Sequence, residues 1–284
     1  MQVSILSGKG GTGKTTVAVN LAAVTGWHYV DCDVEEPNGF IFLKPKVTAR
    51  GDVAILVPDI NKEKCILCKK CVDICQFHAL GMAKDQVLFF EKLCHGCGAC
   101  QLVCPEDAIS ERGRTIGIIE EGVCETGTGQ GIKCIQGVLN LGEPMSGPII
   151  RKIKQRITQD IQGTYLVDCS PGSSCNVVKA IEESEYAILV TEPTEFGLHD
   201  LKIAVGLVRK MGIPFGLILN RADKYHRLID DYCQKENISM LGVIPFDKKA
   251  AMMYSEGQLL IKDQYYRRMF EEIGENLKEA IKCS

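Results

Sequence analysis

The chain has 284 residues, 45% hydrophobic and 24% charged, a composition that excludes a disordered polymer and allows one large domain or two modest ones. Its 33 basic and 36 acidic residues leave a formal charge of -3 with no basic run, so nucleic acid is not an expected partner. No stretch approaches the roughly 20 apolar residues of a membrane span, and the start enters an apolar run without a charged leader, which predicts a cytoplasmic protein without stable membrane association.

The run Val3 to Leu6 predicts a strand, and Val17, Leu21 and Val24 then recur at helical spacing. Between them stand Gly8, Lys9, Gly10, Gly11, Thr12, Gly13, Lys14, Thr15 and Thr16, which fit G-x-x-x-x-G-K-[ST] in the strand-to-helix context that motif requires. The glycines let backbone N–H groups converge on phosphate oxygens, and the helix N-terminus adds partial positive charge. Lys14 is the candidate contact for the β- and γ-phosphates of ATP, and the Thr15 hydroxyl the candidate ligand for Mg²⁺.

A second short strand, His28 to Val30, leads into Asp31-Cys32-Asp33. Between Pro58 and Arg112 the periodicity fades. Cys65, Cys68, Cys71 and Cys75 form C-x-x-C-x-x-C-x-x-x-C, and Cys94, Cys97, Cys100 and Cys104 repeat it 29 residues later, followed by Pro105. Eight of the 15 cysteines fall in this segment, and such crowding in a chain with no export signal points to metal rather than disulfides. Zinc is the rival to iron and sulfide, but zinc sites pair C-x-x-C elements instead of placing two four-cysteine runs in tandem. A purely structural role, stapling a loop-rich segment, is the alternative to electron transfer.

No role is assigned to Glu120 through Pro148. Ile149, Ile153 and Ile157 then mark a helix, and Tyr165 to Val167 a strand ending in Asp168-Cys169-Ser170-Pro171-Gly172. An aspartate at the C-terminal end of a parallel strand caps the next helix or binds ligand, because ligands bind at that end. Further strands are expected at Tyr186 to Val190, Phe215 to Leu219 and Met240 to Ile244, with a helix presenting Leu198, Leu201, Val205 and Val208. Strands apolar throughout and alternating with helices predict a mainly parallel sheet covered on both faces. The last segment places Tyr266, Met269, Phe270, Ile273, Leu277 and Ile281 on one helical face, expected to pack on the sheet. Cys32, Cys233, Cys283, His28, His199 and His226 read as structural.

Lys9 makes the phosphate loop specific: Lys-Gly-Gly-Thr-Gly-Lys-Thr-Thr resembles the deviant Walker A motif of the MinD/ParA class, which includes the nitrogenase iron protein and Mrp-type iron-sulfur carriers. The resemblance implies an ATPase that dimerises around ATP, with Lys9 reaching the partner's nucleotide; its alternative is a solvated loop lysine. It implies that Asp33 in switch I orients the attacking water, and that Asp168 and Gly172 serve Mg²⁺ and the γ-phosphate. Asn220-Arg221 and Pro245-Phe246-Asp247 resemble the adenine-side loops, and the Asn220 amide can both donate to and accept from a base edge. Cys175, seven residues after Asp168, matches the offset of a cluster ligand in the nitrogenase iron protein; its readings are a third metal site, with Cys124, Cys134 or Cys169 as further ligands, and a small buried thiol.

The eight-cysteine pattern resembles the bacterial two-cluster ferredoxins, in which the fourth cysteine of each run ligates the other cluster. It implies two [4Fe-4S] clusters, one on Cys65, Cys68, Cys71 and Cys104, the other on Cys94, Cys97, Cys100 and Cys75, with Gln76 where the pattern has proline. The expected fold is an α/β P-loop NTPase (1–57 and 113–284) with a small inserted ferredoxin-like α+β domain (58–112). The leading functional expectation is an ATPase switch that gates electron transfer from the clusters to a redox partner. The alternatives are a metallocluster carrier serving a client protein and a spatial-positioning ATPase.

Overall fold

The computed structural model describes residues 1–125, 131–160, 163–222 and 227–284; His226 lies outside them. β1 (Gln2–Leu6), α1 (Lys14–Thr25), β2 (His28–Asp31) and α2 (Gly39–Leu43) open the fold. β3 (Lys46–Ile60) runs out to a segment built from α3 (Lys70–Ile74), β4 (Leu80–Ala83), β5 (Gln86–Phe89) and α4 (Ala99–Leu102), and β6 (Ile109–Glu125) runs back. Then follow β7 (Gly131–Leu139), α5 (Gly147–Asp160), β8 (Tyr165–Asp168), α6 (Cys175–Ile181), β9 (Tyr186–Thr191) and α7 (Glu195–Lys210). β10 (Phe215–Ala222), α8 (Arg227–Glu236), β11 (Ser239–Pro245), α9 (Lys248–Ser255) and α10 (Gln264–Cys283) complete the chain.

Among the described residues one nine-stranded sheet has the order β11-β10-β9-β1-β8-β2-β7-β6-β3. Pairing is parallel from β11 to β7 and antiparallel from β7 through β6 to β3. The central parallel strands β1, β8 and β9 are buried on both faces, as their unbroken apolar runs require, whereas β11 at the edge exposes Ser239 and Val243. One face packs under α5 to α8 and the other under α1, α2 and α10. Ile149, Ile153 and Ile157 of α5 are all buried, as are Leu201, Val205 and Val208 of α7. Gly137 of β7 lets α5 approach: a Cβ there would stand 2.6 Å from Ile149 and 2.8 Å from Ile153. The terminal helix buries Tyr266, Phe270, Ile273 and Leu277, with Ile273 pressed against Gly242 of β11. Among the described residues no helix is long and apolar enough to cross a membrane.

β3 and β6 form one long antiparallel ribbon, paired from Lys46↔Val123 to Ile60↔Ile109. Its outer part carries Pro58, paired with Glu111, and Arg112, paired with Val57, so the ribbon passes through both positions where helical and strand periodicity fades in the sequence. An edge ribbon exposed along much of β3 lacks the unbroken apolar run that marks a central strand. The cysteine segment sits at the tip, where β4 and β5 form a separate two-stranded sheet.

Ile153→Ala is expected to lower unfolding stability by about 2–5 kcal/mol, because the side chain is fully buried. Leu141→Ala, at a residue 98% exposed, should change it by less than about 0.5 kcal/mol. Urea titrations of the two variants would test the assignment, and equal effects would contradict it.

Candidate functional site

β1 lies between β8 and β9, where the order of strands reverses, and its C-terminal end opens into the glycine loop. Loops diverge at such a point and leave a crevice. Gly11 and Gly13 have φ of 80° and 86°, which glycine adopts without the Cβ clash of other residues. Gly13 is also sterically closed: a Cβ would meet the Asn220 amide nitrogen at 2.1 Å. Gly8 faces the backbone of Asp200 at 2.4 Å in the same sense. The cleft has a volume of about 340 Å³ and is lined by residues 10–16, Asp33, Pro171, Asn220 and Pro245, together with Phe246 and Tyr254. Gly8, Lys9 and Gly172 stand outside this lining.

Strand register assembles the charges behind the loop. Asp31 and Asp168 are direct partners on β2 and β8, so both carboxylates project to one face. Lys14 reaches Asp168 at 2.5 Å, with side-chain exposures of 6% and 0%. The Tyr29 hydroxyl, two residues before Asp31 and hence on the same face, lies 3.0 Å from Asp31 and 3.2 Å from Asp168. Burial and the Asp168 charge push the Asp31 carboxyl up to about 7, against the pull of Gly39 N–H, Lys14 and Tyr29. Burial also raises Asp33, which Lys14 partly offsets. For Lys14 desolvation acts downward, yet Asp168, Asp33 and Asp31 together hold the ammonium above its ordinary range. Asp31 further accepts N–H bonds from Asp33, Asn38 and Gly39, which pins the loop that carries Asp33. Sequence reading passed over Tyr29 and Asp31 as catalytic candidates; the DCD spacing after a strand was the available signal.

Lys9 is paired with Glu192 at 2.5 Å, and Arg221 approaches the same carboxylate at 3.7 Å. Glu192 had no signal in the sequence, since it lies 183 residues from Lys9. Gly172, with φ of 88°, donates its N–H to Ser7 O and ties the loop after β8 to the phosphate loop. Asn220 donates to Thr12 O at 2.7 Å, so its amide braces the phosphate loop as well as lining the cleft. The Thr12 hydroxyl is buried without a protein partner. Cys175 is exposed at the start of α6, whereas its suggested companions Cys124, Cys134 and Cys169 are buried. Cys32 and Cys233 are buried, Cys283 is exposed, and the His28 ring accepts the Lys133 N–H.

The eight clustered cysteines line two separate hollows. One contains Cys65, Cys68, Cys71 and Cys104; the other contains Cys75, Cys94, Cys97 and Cys100. Each run thus lends its last cysteine to the hollow of the other. The 29-residue repeat extends to the backbone: Leu67 and Gly96, Lys69 and Gly98, and His78 and Asp107 all have positive φ. Ala79 N–H points to Cys75 Sγ and Ala108 N–H to Cys104 Sγ, each at 3.3 Å, so the repeat extends to the hydrogen bonds on sulfur. Burial pushes the Cys100 thiol up to about 11, so binding iron there means displacing a proton. The donor set fits soft metal, and four thiols around each hollow fit a cluster. Among the described residues, no three metal-ligating side chains converge tightly enough for a single ion.

The stretch from Leu139 to Ser146 joins these regions. Leu139 N–H donates to Val34 O, Ser146 hydroxyl donates to Glu35 at 3.0 Å, and Asn176 amide donates to Ser146 at 2.5 Å. Glu143, in the same stretch, accepts from Arg114 at 2.6 Å and from Lys92 at 2.6 Å. The segment without an assigned role in the sequence therefore touches the loop after β2 and the start of α6 through Leu139 and Ser146, and Lys92 of the cysteine segment through Glu143.

A glycine phosphate loop at the centre of a parallel sheet, with an acidic pair behind it, defines a P-loop nucleotide-binding protein. Residues 3–261 match the model of the CobQ/CobB/MinD/ParA nucleotide binding domain, and the chain belongs to that family. It is 33% identical over 283 residues to an uncharacterised protein of Methanocaldococcus jannaschii, covering 96% of each chain. It is 24% identical over 312 residues to an iron-sulfur cluster carrier protein of Pyrococcus horikoshii, covering 99% of this chain and 86% of that one. Pyruvate synthase subunit PorD of Thermotoga maritima is 38% identical over 96 residues, covering 31% of this chain and 93% of that one. Among solved structures, the septum site-determining protein MinD with Mg-ADP from Pyrococcus horikoshii superposes with a TM-score of 0.58 at 20% identity, covering 97% of this chain and 95% of that one.

Folding binds a proton at Asp31 between its ordinary 3.8 and about 7, so stability should fall as pH rises through that window. Asp31→Asn is expected to flatten the dependence of the urea midpoint on pH over this range. A slope identical to that of the parent protein would place the proton elsewhere.

Proposed function

We propose that this chain is an ATP-hydrolysing switch that carries iron-sulfur clusters to a client protein and holds two resident [4Fe-4S] clusters of its own. The observation that carries the reading is a phosphate cleft and two four-cysteine hollows joined on one polypeptide. Similarity over nearly the whole chain to proteins named iron-sulfur cluster carriers supports cluster delivery over electron delivery. The PorD match over about a third of the chain supports iron-sulfur chemistry in it.

In this reading MgATP supplies the phosphoryl group when bound. The N–H groups of residues 10–16 hold the phosphates, Lys14 exchanges Asp168 for β- and γ-oxygens, and Thr15 with Asp168 holds Mg²⁺. Asp33 orients the attacking water, while Asn220 and Pro245 flank the base. Lys9 leaves Glu192 and reaches the nucleotide of a second copy, so the active form is a homodimer. Gly172 senses the γ-phosphate and moves α6, whose first residue, Cys175, is the exposed thiol that meets the cargo cluster.

A second reading, electron delivery from the resident clusters to a redox partner, draws on one specific observation. The Leu139–Ser146 stretch bonds the loop after β2 and the start of α6 to the cysteine segment, so their movement is transmitted towards the clusters.

Anaerobically purified protein is expected to contain about eight irons per chain and to activate an apo-acceptor faster with MgATP than with MgADP. Cys175→Ser should lower that transfer at least about tenfold, roughly 1.4 kcal/mol in the barrier, with the resident iron unchanged. Transfer that ignores both nucleotide and Cys175 would refute cluster carriage. ATP-dependent reduction of a partner without iron transfer would establish the second reading instead.

A further inference from the structure

Arg114 is an unusual buried cation. It is 8% exposed, and only one of its three guanidinium nitrogens is used: Nη1 donates to both Glu143 oxygens, at 2.6 and 2.7 Å. Nε and Nη2 are buried with no partner. Arginine presents five N–H donors, and buried donors are satisfied in the great majority of proteins, so two idle nitrogens beside a candidate ligand hollow call for an acceptor.

Register shows which face of the ribbon Arg114 occupies. Arg114 is the direct partner of Ile55 across the ribbon, and directly opposed residues of an antiparallel pair project to one face. On that face Ile55 packs with Cys94, and its Cβ lies 3.3 Å from the Cβ position of Gly96. Arg114 stands outside the lining of the hollow of Cys75, Cys94, Cys97 and Cys100, on the ribbon face whose Ile55 abuts Gly96 of that hollow and shares a buried cluster with Cys94.

We infer that Arg114 is a positioning residue that sets the reduction potential of the cluster on Cys75, Cys94, Cys97 and Cys100, with Glu143 holding it in place and offsetting its charge. The inference rests on the reading that these four cysteines hold a [4Fe-4S] cluster. Reduction adds one electron to an already anionic cluster with its four thiolates. A fixed cation nearby favours the reduced form; an anion behind the cation disfavours it. Charge at this position therefore separates the two resident clusters in potential and makes this one the more easily reduced than it would be without Arg114.

The test uses the full chain, purified anaerobically, with iron and sulfide counted before redox titration followed by electron paramagnetic resonance. Arg114→Met should move one midpoint downward, leaving the other in place, so that the ratio of reduced to oxidised cluster at a fixed poise near the midpoint falls by up to about tenfold, about 59 mV for one electron. Glu143→Gln should move the same midpoint upward, and Arg114→Lys should fall between parent and Met. Opposite signs are the signature of charge, since a packing defect would displace the midpoint in one direction or lose iron. Two unchanged midpoints in iron-replete Arg114→Met and Glu143→Gln would overturn the inference, as would shifts of the same sign. Should Arg114→Met fail to fold, Glu143→Gln and Arg114→Lys decide the question alone. A parent protein that binds no iron would instead defeat the cluster assignment on which the inference stands.

Discussion

The Lys14 ammonium lies 2.5 Å from Asp168 in a place closed to water, with Asp31 completing a set of two carboxylates around one cation. Taking these charges out of solvent costs several kcal/mol per ion, and short contact with full hydrogen bonding is needed to offset it. Tyr29 and the N–H groups of Asp33, Asn38 and Gly39 supply that bonding. The phosphate loop, the ends of β2 and β8 and the loop bearing Asp33 are thereby drawn to one point. In the proposed function a phosphate anion entering the cleft would offer Lys14 a different counter-ion and release Asp168 toward a cation, giving two electrostatic solutions that differ in which partner Lys14 keeps, as a switch requires.

The cysteine segment is held by a different economy of forces. Its helices are one turn or little more and its sheet has two strands, so it buries little apolar surface by itself. The left-handed residues recurring at 29-residue spacing are strained where they are Leu67, Lys69 and His78 and relaxed where they are Gly96 and Gly98. Gly96 is doubly constrained, because a Cβ there would stand 2.8 Å from Leu56 O of the ribbon. The half that touches the ribbon has glycine where contact is closest. Metal ligation fits such a segment, since thiolate bonds replace the core that its length cannot provide.

The halves share a buried apolar cluster, in which Ala79 and Cys94 of the cysteine segment join Ile55, Val57 and Ile149, and they are also linked by hydrogen bonds and one buried ion pair. Ser146 bonds to Glu35 and Asn176 while Glu143 grips Arg114 and Lys92, all within eight residues of chain. Polar links of this kind are directional and have discrete alternatives, so they transmit displacement where a greasy contact would accommodate it. Lys9 and Glu192 form a comparable pair on the other side of the phosphate loop.

Much of the fold was readable from sequence. The parallel strands announced themselves as short apolar runs, α5 and α7 by helical spacing, the phosphate loop by glycines and lysine within nine residues, and the thiols by their repeat, because each depends on neighbours close along the chain. The site's counter-charges were not readable. Glu192 meets Lys9 across 183 residues, Lys14 meets Asp168 across 154, and Arg114 meets Glu143 across 29. The long ribbon through Pro58 and Arg112, and the bonding role of Leu139 to Ser146, were equally hidden, since an edge strand and a polar connection carry no periodic signal. Local spacing determined which groups could bind phosphate and iron; only the tertiary structure decided which charges face them, because strand order and register bring together residues that the chain keeps far apart.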